Sequence, residues 1–241
     1  MAGGRERVAD GVEVLRLRPP GRIQRLTNIY LLQDGEGLTL FESGSAGMAR
    51  AIQAAASERG GIKRIVLSHA HADHRGGASR LGAPVLCHPD ERSDVEGDGG
   101  LNYFDFSKVG NPVVRALAPG TIKRMDGGPL KVEDTISEGD VVAGFQILHL
   151  PGHAPGLIGL WREADRLAIV SDAVFVFNPF TVSGRPGPAR IAPAPVRPDP
   201  DAARASVRRI AELDPASVWL GHYGPLTGDI RAQLETAAQA G

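Results

Sequence analysis

The chain has 241 residues, 27 of them basic and 28 acidic, for a net charge of −1 with neutral histidines. No basic block breaks that balance, so nucleic acid held by bulk charge is excluded as an expected partner, and a single cysteine, Cys87, excludes an intramolecular disulfide framework. Met1 to Val14 carries charges but no apolar core, and no segment approaches the roughly 18 apolar residues of a membrane span, so a soluble, cytoplasmic chain with no membrane partner is expected.

The length suits one large domain over residues 1–241. Weak alternation over Val12 to Leu17 predicts a first strand, followed by a Pro19-Pro20-Gly21 turn. Ile29 to Leu32 and Leu38 to Phe41 predict a hairpin across Gln33 to Gly37, whose Asp-Gly pair favours a tight turn. Ser43 to Gly47 can cap a helix from about Ala46 to Arg59, which Gly60-Gly61 ends.

The apolar run Ile62 to Leu67 then delivers Ser68-His69-Ala70-His71-Ala72-Asp73-His74, with three of the seven histidines in six positions. Imidazole nitrogens suit zinc, iron and similar metals, and a carboxylate adds charge and hard-oxygen character. Side chains leaving a buried strand at alternate positions converge, and a turn returns Asp73 and His74 beside them. This run can therefore supply ligands to two adjacent ions.

After it, Arg75-Gly76-Gly77-Ala78 reads as a short helix start and Ala83 to Cys87 as a strand. Cys87 is expected in the core, and His88 to be structural or exposed. Asp90 to Gly100, acidic and glycine-rich, predicts a loop. Tyr103, Phe104 and Phe106 follow and either wall a substrate pocket or pin that loop to the core. Val113 to Gly144 reads as short strands and turns, including Leu130-Lys131-Val132 and Val141-Val142.

Phe145 to His149 is a clearer strand leading into Pro151-Gly152-His153-Ala154-Pro155-Gly156. A histidine in a rigid proline-glycine loop at a strand end is placed to bind a metal, whereas His149 reads as a packing or hydrogen-bonding support. Leu157 to Trp161 and Leu167 to Val170 predict a second hairpin that delivers Ser171-Asp172. A carboxylate beside buried strand and apolar sequence is costly unless compensated, and bridging two cations would compensate it.

Phe175 and Phe177 join the pocket candidates. They open a segment, residues 176–200, with seven prolines and two glycines, expected as an ordered loop covering a site. A helix is expected over Asp201 to Leu213, a strand over Val218 to Leu220 and a last helix over about Asp229 to Ala238. Between the last two, Gly221-His222-Tyr223-Gly224-Pro225 again releases a histidine after an apolar strand.

In its order of motifs, His69-x-His71-x-Asp73-His74, then His153, Asp172 and His222, the chain resembles the metallo-beta-lactamase fold superfamily over nearly its whole length. The resemblance implies an α/β fold, a four-layer αββα sandwich of two mixed β-sheets flanked by helices. It implies that His69, His71 and His153 hold one metal, that Asp73, His74 and His222 hold a second, and that Asp172 bridges them. Zinc suits that set, which also accepts iron or manganese, and Asp73 is the candidate catalytic residue for holding or moving a proton of the attacking water.

One departure is Glu42, where the family usually has an aspartate before the first helix. The retained Asp172 argues against antibiotic hydrolysis as the main activity, because one zinc lactamase branch has cysteine there and another lacks the bridging carboxylate. Glyoxalase II-like enzymes share the seven ligands but add a helical glutathione-binding domain. Nineteen residues follow His222 here, so a standard glutathione thioesterase is not expected.

Small lactonases of the fold match the length and metal set. The expected activity is therefore dinuclear, metal-dependent hydrolysis of a small ester, lactone or thioester. An iron-dependent sulfur dioxygenase-like oxidoreductase and a phosphodiesterase-type hydrolase are the alternatives. Arg75, Arg185 and Arg190 are candidate contacts for a phosphate or carboxylate, the expected partner is a small molecule, and association with further copies is left open.

Overall fold

A computed structural model describes residues 4–18, 27–181 and 186–240. The Pro19-Pro20-Gly21 turn, Arg185 and part of the proline-rich segment lie outside the described residues. Two units emerge, the first comprising Met1–Gly100 and Gly120–Ile136, the second Leu101–Pro119 and Ser137–Gly241.

The first unit is built on a seven-stranded mixed sheet. Its strands are β1 (Gly4–Ala9), β2 (Val12–Leu17), β3 (Thr27–Asp34), β4 (Gly37–Phe41), β5 (Ile62–Val66), β6 (Val85–Cys87) and β7 (Asp134–Thr135), in that spatial order. The pairs from β1 to β4 are antiparallel and those from β4 to β7 parallel. The β3–β4 turn is the expected tight one: Asp34 pairs with Gly37, and Gly35 takes a φ of 68°, which glycine adopts without steric cost.

The predicted helix after β4 begins as a 3-10 turn at Ala46–Met48 and continues as α1 (Ala49–Ser57). Its stripe is weak in size but sufficient: Met48, Ile52 and Ala56 pack into one cluster with Leu38, Leu40 and Ile65 of the sheet. Fully burying a side chain such as Ile52 contributes about 1.5–3 kcal/mol. Gly60 and Gly61 both have a φ of 85° and turn the chain into β5.

The second unit carries a five-stranded mixed sheet in the order β12-β11-β10-β9-β8. These strands are β8 (Val141–Val142), β9 (Phe145–His149), β10 (Ile158–Arg162), β11 (Leu167–Ile169) and β12 (Ser217–Trp219). Only β11 and β12 pair in parallel. Two helices share its core, here termed α5 (Pro200–Glu212) and α6 (Ile230–Gln239), through Val207, Ile210, Leu234 and Ala237. Both begin on an aspartate cap: Asp199 Oδ1 accepts from the amides of Asp201 and Ala202, and Asp229 Oδ1 from that of Ala232.

Two expectations are overturned. Asp90 to Gly100 is not plain loop, because a 3-10 turn at Pro89–Glu91 runs into the short helix α3 (Arg92–Glu96). Val113 to Gly144 does not open with strands: residues Pro112–Met125 form helix α4, despite Pro119 inside it. Valine, isoleucine and proline there imitate strand and turn composition. The start signal was local instead, since Asn111 Oδ1 accepts from the amides of Val113 and Val114 and Pro112 occupies the first helical position, where its missing N–H costs nothing. The helix α2 (Ala72–Arg75) also begins earlier than expected, inside the histidine motif.

Candidate metal centre

In the first unit the donors leave the end of β5. Phe41 pairs with Val66 in the parallel β4–β5 register, so Glu42 emerges beside the motif, with its amide donating to Val66 O at 2.9 Å. Glu42 has a φ of 77° and is fully buried. A left-handed backbone at a glutamate costs energy that packing must offset, and such positions gather at functional sites.

The strained turn brings Glu42 Oε1 to 3.0 Å from His74 Nδ1, while Oε2 accepts from Ser68 N at 3.4 Å. A carboxylate beside Nδ1 favours a proton there and turns the lone pair of Nε2 outward. Ser68 Oγ engages His69 Nδ1 at 2.8 Å. The His69 ring centroid lies 4.5 Å from that of His71 and 4.3 Å from that of His74. Asp73 Oδ2 is 3.9 Å from His74 Nε2, and its side chain is 29% exposed whereas that of His74 is at 0%.

In the second unit the register of β11 and β12 sets the geometry. Ile169 pairs with Trp219, and three residues beyond each stand Asp172 and His222. Ser171, at a φ of 45°, accepts through its carbonyl from Gly221 N at 3.0 Å, which ties the two loops together. Asp172 Oδ2 lies 3.6 Å from His222 Nε2 and 3.7 Å from His153 Nε2. All three side chains are buried.

His153 Nδ1 donates to Val196 O at 2.7 Å. A carbonyl only accepts, so the proton sits on Nδ1 and the lone pair on Nε2, the nitrogen that faces Asp172. The loop itself is held against α5. Ser206 Oγ donates to Pro151 O, and Gly152, at a φ of 131°, lies so close that a Cβ there would sit 2.3 Å from Ala203 N. His149 supports the site as expected: its Nε2 meets Pro155 O at 2.9 Å, while its amide donates to Glu138.

The aromatic candidates divide. Tyr103, Phe104 and Phe106 are half-buried, and Phe104 stacks on Phe106 at 5.5 Å. Between them Asp105 N donates to Pro195 O, which joins the aromatic loop to the proline-rich segment beside the carbonyl that holds His153. Asp105 itself is held below the usual carboxylate range, first by the Ser107 hydroxyl and then by Lys108.

Phe175 and Phe177 are buried. Phe175 meets the His153 ring at 5.4 Å, and Phe177 meets both His222 at 5.4 Å and Tyr223 at 5.0 Å. These two phenylalanines back the histidines, a packing role their sequence positions did not reveal.

Arg75 is a correction. Instead of meeting a phosphate or carboxylate substrate, it is buried, donating to the carbonyls of Asp94, Val95 and Gly97 and to Asp126 Oδ2 at 2.7 Å. Arg190 is exposed, and its amide and carbonyl bridge to Phe175. Cys87 is core, and burial pushes its thiol up to about 12, far from a reactive thiolate. The sequence reading missed Glu91, a buried carboxylate that accepts from Ala70 N at 2.8 Å, and the Val196 carbonyl; no local pattern announces either.

The donor chemistry, buried imidazoles beside carboxylates, fits a divalent transition metal. No helix among the described residues is long and apolar enough to cross a membrane.

The probable metallo-hydrolase YflN of Bacillus subtilis is 27% identical over 240 residues, covering 90% of this chain and 89% of that one. The hydroxyacylglutathione hydrolase GloC of Haemophilus influenzae is 28% identical over 121 residues, 47% of this chain and 50% of that one. Among solved structures, that of TTHA1623 in a di-iron-bound form has a TM-score of 0.63 at 27% identity, covering 90% of this chain and 96% of that one. The family profile of the metallo-beta-lactamase superfamily matches residues 22–222, which include every expected ligand. With two mixed sheets, their helices and a histidine-rich metal site in place, the chain belongs to the metallo-beta-lactamase superfamily.

Proposed function

We propose that the chain hydrolyses a small ester, lactone or thioester at a dinuclear centre. His69, His71 and His153 would hold one ion and Asp73, His74 and His222 a second, with Asp172 shared. Zinc suits this set, and the di-iron form of TTHA1623 supports iron as the other candidate. Bound ions would supply Lewis acidity and lower the pKa of the attacking water.

The observation that carries the reading is the contrast among the carboxylates. Asp172 is buried between two imidazoles, as a structural ligand should be, whereas Asp73 keeps part of its side chain open to solvent. Asp73 is thus suited to take a proton from the attacking water and return it to the leaving oxygen or sulfur. Its partial exposure gives the proton a route in both directions.

The stacked pair Phe104 and Phe106 offers an apolar surface for the substrate's acyl part, as small-molecule pockets are mostly apolar with few polar selectors. The similarity to GloC favours a thioester or a chemically related acyl compound, acting as a free small molecule. No role for nucleic acid or membrane enters this reading.

The test is a panel of lactones, thioesters, phosphodiesters and beta-lactams assayed with metal-saturated enzyme, with metal counted per chain. The expected result is close to two ions and turnover of carbonyl esters or thioesters, with Phe104→Ala changing relative kcat/KM across the panel at constant metal content. Turnover of phosphodiesters alone, or oxygen consumption by an iron-loaded chain without hydrolysis, would replace this reading with one of the two alternatives.

A further inference from the structure

We propose that Glu91 is a positioning residue for the metal-binding loop, acting through the backbone amide of Ala70. The inference rests on the reading of His69 and His71 as metal ligands and names the group that fixes the backbone between them.

Ala70 is buried, so its N–H has no recourse to bulk water, and the partner it finds is Glu91 Oε2 at 2.8 Å. Glu91 is itself only 1% exposed. A neutral carbonyl would satisfy an amide at lower cost, because burying a carboxylate carries a large desolvation penalty. A fixed negative charge against a loop that receives divalent cations offsets that penalty. It also explains why this position is acidic.

The carboxylate is delivered by local structure. After β6, His88 Nδ1 accepts from Asp90 N at 3.2 Å and Glu91 N donates to His88 O at 3.0 Å, so the 3-10 turn hooks back toward the end of β5. The same segment grips the other end of the motif, since the carbonyls of Asp94, Val95 and Gly97 receive the Arg75 guanidinium. Gly99 closes the enclosure: at a φ of 81°, a Cβ there would lie 3.2 Å from Ala70 O and 3.1 Å from Arg75 Nε. His69-Ala70-His71 is therefore anchored at its centre through the Ala70 amide by the Glu91 carboxylate.

The experiment measures zinc affinity of the full chain by competition with a chromophoric chelator, together with the melting temperature of the metal-free protein. Glu91→Ala is expected to weaken zinc binding roughly tenfold to a hundredfold. Glu91→Gln, which keeps an acceptor oxygen at the same reach but not the charge, is expected to recover only part of it. Glu91→Asp, one methylene short of the Ala70 amide, is expected to fall between them, which keeps the test decisive if the alanine variant does not fold. Unchanged affinity in the alanine and aspartate variants while the wild type binds zinc would overturn the role of Glu91 and leave the metal reading standing. A wild type that takes up no zinc would overturn the metal reading, and the role of Glu91 with it.

Discussion

The two units hold their donors by different means. In the first, four donors stand within six residues and are braced by carboxylates, with Glu42 beside His74 and Glu91 on the Ala70 amide. In the second, three donors arrive on three separate loops and are braced by a backbone carbonyl, by strand register and by aromatic rings, with Val196 on His153 and Phe177 on His222. The difference separates two kinds of dependence. Charged braces in the first unit act directly on the affinity for a cation, whereas in the second the donors stay in place only as long as the core does.

Asp172 is where the second unit's donors meet, so its removal should produce the largest effect. Asp172→Ala is expected to lower kcat/KM by about a thousandfold, roughly 4 kcal/mol of transition-state stabilisation, and to reduce bound metal toward one ion per chain. Kinetics with metal analysis on the same preparation read both quantities. A variant with wild-type metal occupancy and rate would remove Asp172 from the site.

The next effect is one of stability and tests the second half of the comparison. Phe177 is fully buried against His222 and Tyr223. Phe177→Ala should cost about 3–5 kcal/mol through the cavity it leaves, or on the order of 10 °C in melting temperature for a chain of this size. Zinc affinity should fall with it, because the His222 ring loses its backing. Unchanged zinc affinity in a destabilised variant would show that the second unit does not couple packing to ligand geometry.

The legibility of the site in the sequence follows the same division. The run from His69 to His74 could be read because its donors are contiguous and the strand before it is apolar. His153, Asp172 and His222 could be read as strand-end residues in glycine-rich or turn sequence, but their meeting depends on β11 lying parallel to β12, a pairing made across 47 residues of intervening chain between Ile169 and Ser217. Glu91 and Val196 were illegible for a further reason: one is an acidic residue in an acidic stretch, the other acts through its carbonyl, and side-chain chemistry says nothing of that.

The fold divides likewise. Hairpins declared themselves by turn residues and α5 by periodicity, whereas α4 did not, because its 14 residues bury none of their side chains and so leave no apolar stripe.

The smallest expected effect probes the outer brace of the His153 loop. Arg209 donates to Glu138 and to His149 O, and Glu138 in turn accepts from His149 N at 2.6 Å, so a surface ion pair clasps the end of β9. Burial tends to raise the Glu138 carboxyl, but hydrogen bonds from Arg209 and from the His149 amide outweigh it, leaving it below its ordinary value of 4.5. A carboxyl lowered in the folded state contributes stability that is present above its unfolded value and lost as pH falls through the folded one.

The wild type should therefore lose this contribution below about pH 4.5, and Glu138→Gln should lack it at neutral pH already. Both partners are about 40% exposed, so solvent screening limits the effect to under about 1 kcal/mol. Urea midpoints of the two proteins should differ slightly at pH 7 and draw together as the pH falls below about 4.5 and through the lowered folded value. Curves that stay parallel across that range would mean that the pair contributes nothing through its charge, and that the β9 end is held by its pairing with β10 and by the His149–Pro155 hydrogen bond.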